Sequence, residues 1–182
     1  MKTTYRIILL LVLLAAGSLA TCSIKKDLIN TPTIAPVQDS GLVLGLQLDK
    51  SVYRIGMPVI AHLKLENVES KDIITKNRMV LNNPNAPAIV TDTAFVIISP
   101  LGLQKFLRDK VSVLPLSNGN FQILRAGDAV QATYDLANNY SLEDVGVYSV
   151  YAIYQNQSNS PNGLVAWKGK IQSPTIAFTI EP

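Results

Sequence analysis

Apolar and polar residues alternate with a period of two along most of the chain after residue 41. The clearest run begins at Leu42, where every second residue as far as Leu48 is leucine, and the alternation returns between Val59 and Leu65. A period of two places successive side chains on opposite faces of a β-strand. Further short apolar runs, separated by turn residues, cover residues 73–81, 88–99, 103–107, 121–124, 130–136, 147–154, 164–171 and 175–181.

The spacing of these runs is typical of an antiparallel β-sandwich. We therefore predict an all-β domain over residues 42–182 with about seven to nine strands. No segment after residue 22 has the apolar stripe and capping residues of a helix.

The first 21 residues have the three-part organisation of a signal peptide. Lys2 and Arg6 give a positive start, ten apolar residues run from Ile7 to Ala16, and small neutral residues follow. Ten helical residues span about 15 Å, roughly half of a bilayer's hydrocarbon core, which is too short for a permanent transmembrane helix. We therefore expect residues 1–21 to direct export and to be removed.

A lipid-attachment motif follows this segment. Leu19-Ala20-Thr21-Cys22 resembles the box of bacterial lipoproteins, and Cys22 is the single cysteine of the chain. The resemblance implies that Cys22 carries lipid on its thiol and acyl on its new amine, which anchors the protein in a membrane. Thr21 departs from the usual Gly, Ala or Ser. Ser23, which is not Asp, implies the outer membrane in a bacterium with two membranes. Ordinary secretion beside an incidental cysteine is the alternative.

Residues 22–41 are expected to form the lipidated cysteine and a flexible tether. They show no sustained period and contain Pro32 and Pro36, so the tether reaches at most roughly 60 Å. Of the 16 basic residues, Lys2 and Arg6 lie in the export segment, which leaves 14 against 13 acidic residues. This near-neutral balance excludes the basic footprint of a nucleic-acid-binding protein.

A short run near residue 146 has a recognisable pattern. Asp144-Val145-Gly146-Val147-Tyr148 resembles the Asp-x-Gly-x-Tyr-x-Cys run of immunoglobulin domains. The resemblance implies that the Tyr148 hydroxyl bonds to upstream backbone, that Asp144 caps the turn, and that Gly146 permits a tight approach. Val150 replaces the strand cysteine, so the family's disulfide is absent. The resemblance implies an immunoglobulin-like β-sandwich for residues 42–182.

A broader pattern from Leu42 to Pro182 is similar to bacterial immunoglobulin-like accessory domains. These include the domain that precedes some secreted lysine-specific metalloproteases and a bacterial proteinase-inhibitor family with a Pro-Gly-Glu turn. Here Ala126-Gly127-Asp128 keeps the glycine and an acid but lacks the proline. The resemblance implies one alternative function, proteinase inhibition through a projecting loop such as Asn82–Pro87.

Residues for catalysis or metal binding are scarce. His62 is the only histidine, and the alternation places it on the polar face with Lys64 and Glu66. No Gly-x-Ser-x-Gly or phosphate-binding glycine loop is present. We therefore expect no enzyme activity, no cofactor and no metal. One oxygen-rich turn could bind calcium, although turn formation explains it better; its residues are Asp135, Asn138, Asn139, Glu143 and Asp144.

The segment Gln155–Gly163 is the candidate binding loop. It is rich in Asn, Gln and Ser, with Tyr154 before it and Trp167 just beyond. The immunoglobulin resemblance places it where variable domains bind ligands, and aromatic rings beside amides suit peptides or sugars. In the alternative interpretation, Trp167 fills the core and the loop only joins two strands. The candidate contact residues are Tyr154, Asn156, Asn159, Asn162 and Trp167.

These patterns together predict a lipid-anchored, immunoglobulin-like binding or assembly module of the bacterial cell envelope. Its partner would be a protein or a glycan, and the membrane would be contacted through lipid on Cys22. Proteinase inhibition is the alternative.

We expect Cys22→Ala to abolish acylation and to release the protein from the membrane or stall its processing, because the chain has no other thiol. Metabolic labelling with a fatty-acid probe checks this. The wild-type chain should incorporate the probe and the variant should not. Equal labelling of both would contradict the lipid-anchor hypothesis.

Overall fold

The computed structural model describes residues 41–87, 92–108 and 115–182, and over these ranges the chain is all-β. The signal peptide, Cys22 and the predicted tether as far as residue 40 lie outside the described residues. A short 3-10 helix spans Asn118–Asn120. No helix in the described ranges is long and apolar enough to cross a membrane. The strands are β1 Leu42–Leu48, β2 Val52–Arg54, β3 Ile60–Asn67, β4 Ile73–Lys76, β5 Thr93–Ser99, β6 Gly102–Leu103, β7 Phe121–Leu124, β8 Ala129–Asp135, β9 Gly146–Asn156, β10 Gly169–Gln172 and β11 Ile176–Glu181.

The strands form two larger sheets and a two-stranded ribbon. The first sheet is antiparallel, with the order β1-β3-β8. The second has the order β2-β11-β9-β5-β6, with β10 also paired to β9. It is mixed, because β2 runs parallel to β11 while the other pairs are antiparallel. The ribbon consists of β4 and β7.

The strands β10 and β11 both pair with the same edge of β9, and a bulge separates them. Gln172 lies opposite Ile153, whereas Ile176 lies opposite Val150, so the β10–β11 side carries one extra residue. The backbone of Ser173 donates to the carbonyl of Ala152 (2.9 Å), and the Ser173 hydroxyl accepts from the Ala152 N–H (2.9 Å). This side chain keeps the ladder satisfied at the bulge.

Side chains from both larger sheets share one hydrophobic core. Leu44 and Leu63 enter it from the first sheet, and Phe95, Val150 and Phe178 enter it from the second. All five are almost completely buried. The leucine face predicted for β1 is therefore the face that packs inward, as the alternation required.

Some strand predictions differ from the structure. The strand expected over residues 73–81 ends at Lys76, β10 begins at Gly169 and not at residue 164, and the strand expected over residues 103–107 is only the two-residue β6. In the first case, side-chain hydrogen bonds redirect the backbone after Lys76. In the second, the Trp167 N–H donates to Ile74 of the ribbon (2.7 Å), which holds that backbone away from β9. The three-residue strand β2 was not expected, because it is too short to show a period.

A tyrosine hydroxyl closes the turn that precedes β9. Tyr148 donates to the Asp144 carbonyl (2.9 Å) and accepts from the Asp144 N–H (3.0 Å). The Asp144 carboxylate accepts from the Ser99 hydroxyl (3.2 Å) at the end of β5. Gly146 has φ +138°, and a Cβ there would lie 2.6 Å from Pro100 Cγ. This position therefore requires glycine for both its conformation and its close approach.

We expect Tyr148→Phe to lower the free energy of unfolding by about 1 kcal/mol or somewhat more, because both backbone groups of Asp144 would lose their partner. Urea denaturation would measure it. Tyr151→Phe is the matched control, since Tyr151 lies on the outer face of the same strand. If the two variants had the same stability, the Tyr148 hydroxyl would have no part in holding the turn.

Candidate functional site

The candidate binding loop joins β9 to β10, and its first predicted contact residue is buried. Asn156 has no exposed surface. Its side-chain NH2 donates to the carbonyls of Ser158 (2.9 Å) and Trp167 (2.6 Å), and its Oδ1 accepts from the Ser158 N–H (3.0 Å). Asn156 therefore closes the base of the loop, and burial removes it from any surface that a ligand could contact.

The two aromatic residues expected beside a ligand pack on each other. The rings of Tyr154 and Trp167 stack with their centroids 5.9 Å apart, and Tyr154 is fully buried. The Tyr154 hydroxyl lies 2.6 Å from Thr75 Oγ1 and accepts from the Lys76 N–H (3.1 Å). Burial raises the pKa of Tyr154 well above its ordinary value. Both rings thus extend the core, which favours the core interpretation of Trp167 over a stacking platform.

The remaining two predicted contact residues, Asn159 and Asn162, are exposed. The loop that carries them is fastened to the 3-10 helix, because Asn118 Oδ1 accepts from the Ser160 hydroxyl (3.2 Å) and the Asn162 N–H (3.0 Å). A cavity of about 330 Å³ lies against the ribbon beside this loop, and its lining includes Asn118 and Leu164. Ligand binding by this loop stays a prediction, carried by its two exposed asparagines.

A buried carboxylate, which the sequence pattern did not single out, fixes the chain after β4. Asp92 and Lys76 have no exposed side-chain surface, and Lys76 Nζ lies 2.9 Å from Asp92 Oδ1. Arg78 Nε lies 2.6 Å from Asp92 Oδ2, and the Val80 N–H donates to that oxygen (3.1 Å). Because a buried charge that loses its partners is strongly destabilising, the contacts with Asp92 fix the course of the backbone over residues 76–80.

The same segment contains a residue with a strained backbone conformation, and a side chain of β8 forms a hydrogen bond to it. Met79 has φ +43°, a conformation that residues other than glycine rarely adopt. The Tyr134 hydroxyl donates to the Met79 carbonyl (2.6 Å). Burial raises the pKa of Tyr134 to about 12, so this hydroxyl remains a donor at neutral pH. These contacts fix the backbone of Met79 and Val80.

The oxygen-rich turn after β8 uses its side chains to build itself. Asp135 Oδ1 accepts from the N–H groups of Val59 (3.2 Å) and Ala137 (3.0 Å), and Oδ2 accepts from Asn138 Nδ2 (2.8 Å). Asn139 Nδ2 donates to the Asp135 carbonyl (2.8 Å). Across the described ranges, no group of three or more His, Cys, Asp or Glu side chains is placed to hold a metal ion. The contacts support the turn interpretation of Asp135, Asn138 and Asn139.

The loop considered for proteinase inhibition folds back on itself over its described residues. The Asn82 N–H donates to the Thr93 carbonyl (3.0 Å), and the Ala86 N–H donates to the Asn83 carbonyl (2.9 Å). The Asn85 N–H donates to Asn83 Oδ1 (2.9 Å). The inhibitor hypothesis stays a prediction, and residues 88–91 lie outside the described ranges.

The outer face of the first sheet is polar. His62 is exposed and shares this face with Lys64 and Glu66, as the alternation predicted. His62 Nδ1 lies 3.1 Å from the Thr133 hydroxyl, and Lys64 Nζ lies 2.6 Å from a Glu66 carboxylate oxygen. Gln131 and Thr133 are also exposed. Such a face is typical of a sheet that meets water on one side.

The outer face of the second sheet is apolar and uncharged at its centre. Ile98 lies opposite Leu103 on one neighbouring strand and opposite Ser149 on the other. Val147, Leu103 and Ile98 expose 64 %, 67 % and 45 % of their surface. We call this surface the β9 outer face; it consists of Val96, Ile98, Leu103, Val147, Ser149, Tyr151, Ala177 and Thr179.

The sequence of β9 contains an indication of this surface that the sequence analysis did not use. From Val147 to Tyr154 the residues on both faces of the strand are mostly apolar, so the polar half of the alternation is missing. A strand of this kind is usually covered on both sides. The structure covers the inner face with the core, and leaves Val147 exposed on the outer one. The sequence analysis considered only a polar loop as a candidate binding surface and did not identify this strand face.

Comparison with protein-family models found no matching family, and comparison with curated proteins found no significant match.

Proposed function

We propose that this chain is a lipid-anchored, immunoglobulin-like module of the bacterial cell envelope that binds a protein through the β9 outer face. The contrast between the two outer sheet faces carries the proposal. One face presents Lys64, Glu66 and His62 to solvent, and the other exposes aliphatic side chains such as Val147. Large exposed apolar surfaces on soluble domains mark interaction sites.

The order of the strands supports an immunoglobulin-like sandwich. In that fold, strands A, B and E belong to one sheet and C, F and G to the other. Here β1, β3 and β8 form one sheet, while β5, β9 and the β10–β11 edge belong to the other. The Tyr148–Asp144 hydrogen bonds have the geometry expected of a tyrosine corner. Val150, at the position of the family's cysteine, is fully buried.

A protein fits the β9 outer face better than a glycan does. Sugar recognition needs several convergent polar groups or an exposed ring platform, and the ring of Trp167 stacks on buried Tyr154. The centre of the β9 outer face offers Ile98, Leu103 and Val147, which can be desolvated at little cost. A core of apolar residues depleted in charge is the composition of protein–protein interfaces.

The anchoring half of the proposal rests on the lipoprotein box at Cys22 and on Ser23, which favours the outer membrane. The described domain begins at Gly41, whose carbonyl accepts from the Val68 N–H (2.9 Å). A tether of roughly 60 Å would let the domain reach partners beyond the bilayer surface.

Photo-crosslinking in intact cells tests the protein-binding half. A photoreactive phenylalanine at position 151 lies on the β9 outer face, and the same residue at position 133 lies on the polar face of the first sheet. We expect a protein adduct from position 151 and none from position 133. Adding Val147→Lys should suppress the adduct at 151, because it places a charge inside an apolar interface.

Thr133→Lys is the matched control for that substitution, because it adds the same charge to the opposite sheet. It should leave the adduct at position 151 unchanged. Equal adduct yields from positions 151 and 133, or no adduct from either, would contradict the proposed binding face.

A further inference from the structure

The two Asn-Gly pairs of the chain lie in contact with each other. Asn118-Gly119 belongs to the 3-10 helix, and Asn162-Gly163 belongs to the candidate binding loop. Asn118 Oδ1 accepts from the Asn162 N–H (3.0 Å). An asparagine before glycine is especially prone to lose its side-chain amide, because glycine has no Cβ to keep its backbone nitrogen away from the asparagine Cγ. The structure holds the two asparagines to different degrees.

Both the side chain and the backbone of Asn118 are held. Its Oδ1 accepts from the Ser160 hydroxyl (3.2 Å) as well as from the backbone of the loop. The Asn120 N–H donates to the Ser117 carbonyl (3.0 Å), and this hydrogen bond encloses the peptide group that follows Asn118. Attack of the next backbone nitrogen on Asn118 Cγ would rotate the side chain and this peptide group, so these hydrogen bonds oppose it.

The side chain of Asn162 is held much less. It is exposed, and within the described ranges its side chain makes one long hydrogen bond, from the Leu164 N–H to Oδ1 (3.4 Å). Gly163 has φ +83°, and a Cβ there would meet no atom within 4 Å, so the backbone has room to turn. The Gly163 N–H donates to the Ser160 carbonyl (2.9 Å). This turn is exposed over residues 161–163, and exposed loops open at little cost in free energy.

We propose that Asn162 is a site of spontaneous deamidation, with water as the co-reactant. The Gly163 nitrogen, once its proton has passed to solvent, forms a bond to Asn162 Cγ. The bond from Cγ to Nδ2 breaks, and Nδ2 takes up a proton from solvent and leaves as ammonia, so that a five-membered succinimide remains. Water then opens the ring at either of its carbonyls and gives aspartate or isoaspartate. The net reaction takes up water and releases ammonia, without oxidation or reduction.

Either product changes the chemistry of the candidate binding loop. The side chains from Gln155 to Gly163 are all neutral, and the reaction places a carboxylate among them. Isoaspartate also adds a methylene to the main chain, which enlarges the turn that the Gly163 N–H closes on the Ser160 carbonyl. The loop therefore exists in a neutral form and an anionic form, which differ at one of its two exposed asparagines.

Ageing of the full chain in heavy-oxygen water tests the proposal, because each deamidation incorporates oxygen from the solvent. Trypsin cleaves after Arg125, between the two Asn-Gly pairs, so tandem mass spectrometry locates the label. We expect labelling of Asn162 to exceed that of Asn118 by about tenfold or more, which corresponds to about 1.4 kcal/mol between the two barriers. Equal labelling of the two sites, or none at Asn162, would overturn the proposal.

Unfolding the chain separates the effect of the structure from that of the local sequence. In concentrated urea the two Asn-Gly pairs lose their different surroundings, so Asn118 and Asn162 should label to similar extents. If Asn162 were still labelled about tenfold more than Asn118, the folded structure would not be the cause of the difference, and the argument from the hydrogen bonds would be overturned.

Two variants test the assigned contacts in the folded chain. Asn162→Gln keeps the amide but moves its carbonyl carbon one bond further from the Gly163 nitrogen, so labelling at this position should be lost. Ser160→Ala removes one hydrogen bond from Asn118 Oδ1 and should raise labelling of Asn118 severalfold. Ser158→Ala is the matched control in the same loop and should leave Asn118 unchanged. If Ser160→Ala had no more effect than Ser158→Ala, the protection assigned to Asn118 would be wrong.

Discussion

The burial of the inner face of β9 is the constraint on which the rest of the domain depends. Tyr148, Val150, Ala152 and Tyr154 have no exposed surface and pack in the shared core. β9 also pairs with β5 on one edge and with β10 and β11 on the other. Because its period of two leaves every other side chain on the far side, the position of the core determines which residues form the outer face.

Polar groups fix this strand at both ends. Near its start, the Tyr148 hydroxyl binds the backbone of Asp144, and near its end the Tyr154 hydroxyl binds the backbone of Lys76. Lys76 is in turn paired with buried Asp92. Apolar packing can be satisfied by several arrangements, whereas buried polar groups need particular partners. These contacts connect β9 to the ribbon and so hold the second sheet in one position.

The sequence predicted the parts of the fold that depend on local periodicity. The inward leucines of β1 and the exposed face of His62 follow directly from alternation, and the bounds of β7 follow from a short apolar run with turn residues after it. The course of residues 77–80 does not, because it depends on Asp92, which is distant along the chain. The role of Asn156 could not be predicted for a related reason: an Asn-rich segment looks the same whether an amide closes the loop or contacts a ligand.

The central claim is that the β9 outer face is covered by protein in the envelope. Hydroxyl-radical footprinting compares the wild-type chain in intact cells with the purified chain, and Tyr151, Ile98 and Leu103 report on this face. His62, on the opposite sheet, is the internal reference. We expect the three residues to be protected in cells and His62 to be as reactive as in the purified chain. Equal reactivity of Tyr151, Ile98 and Leu103 in a monomeric purified chain and in cells would contradict it.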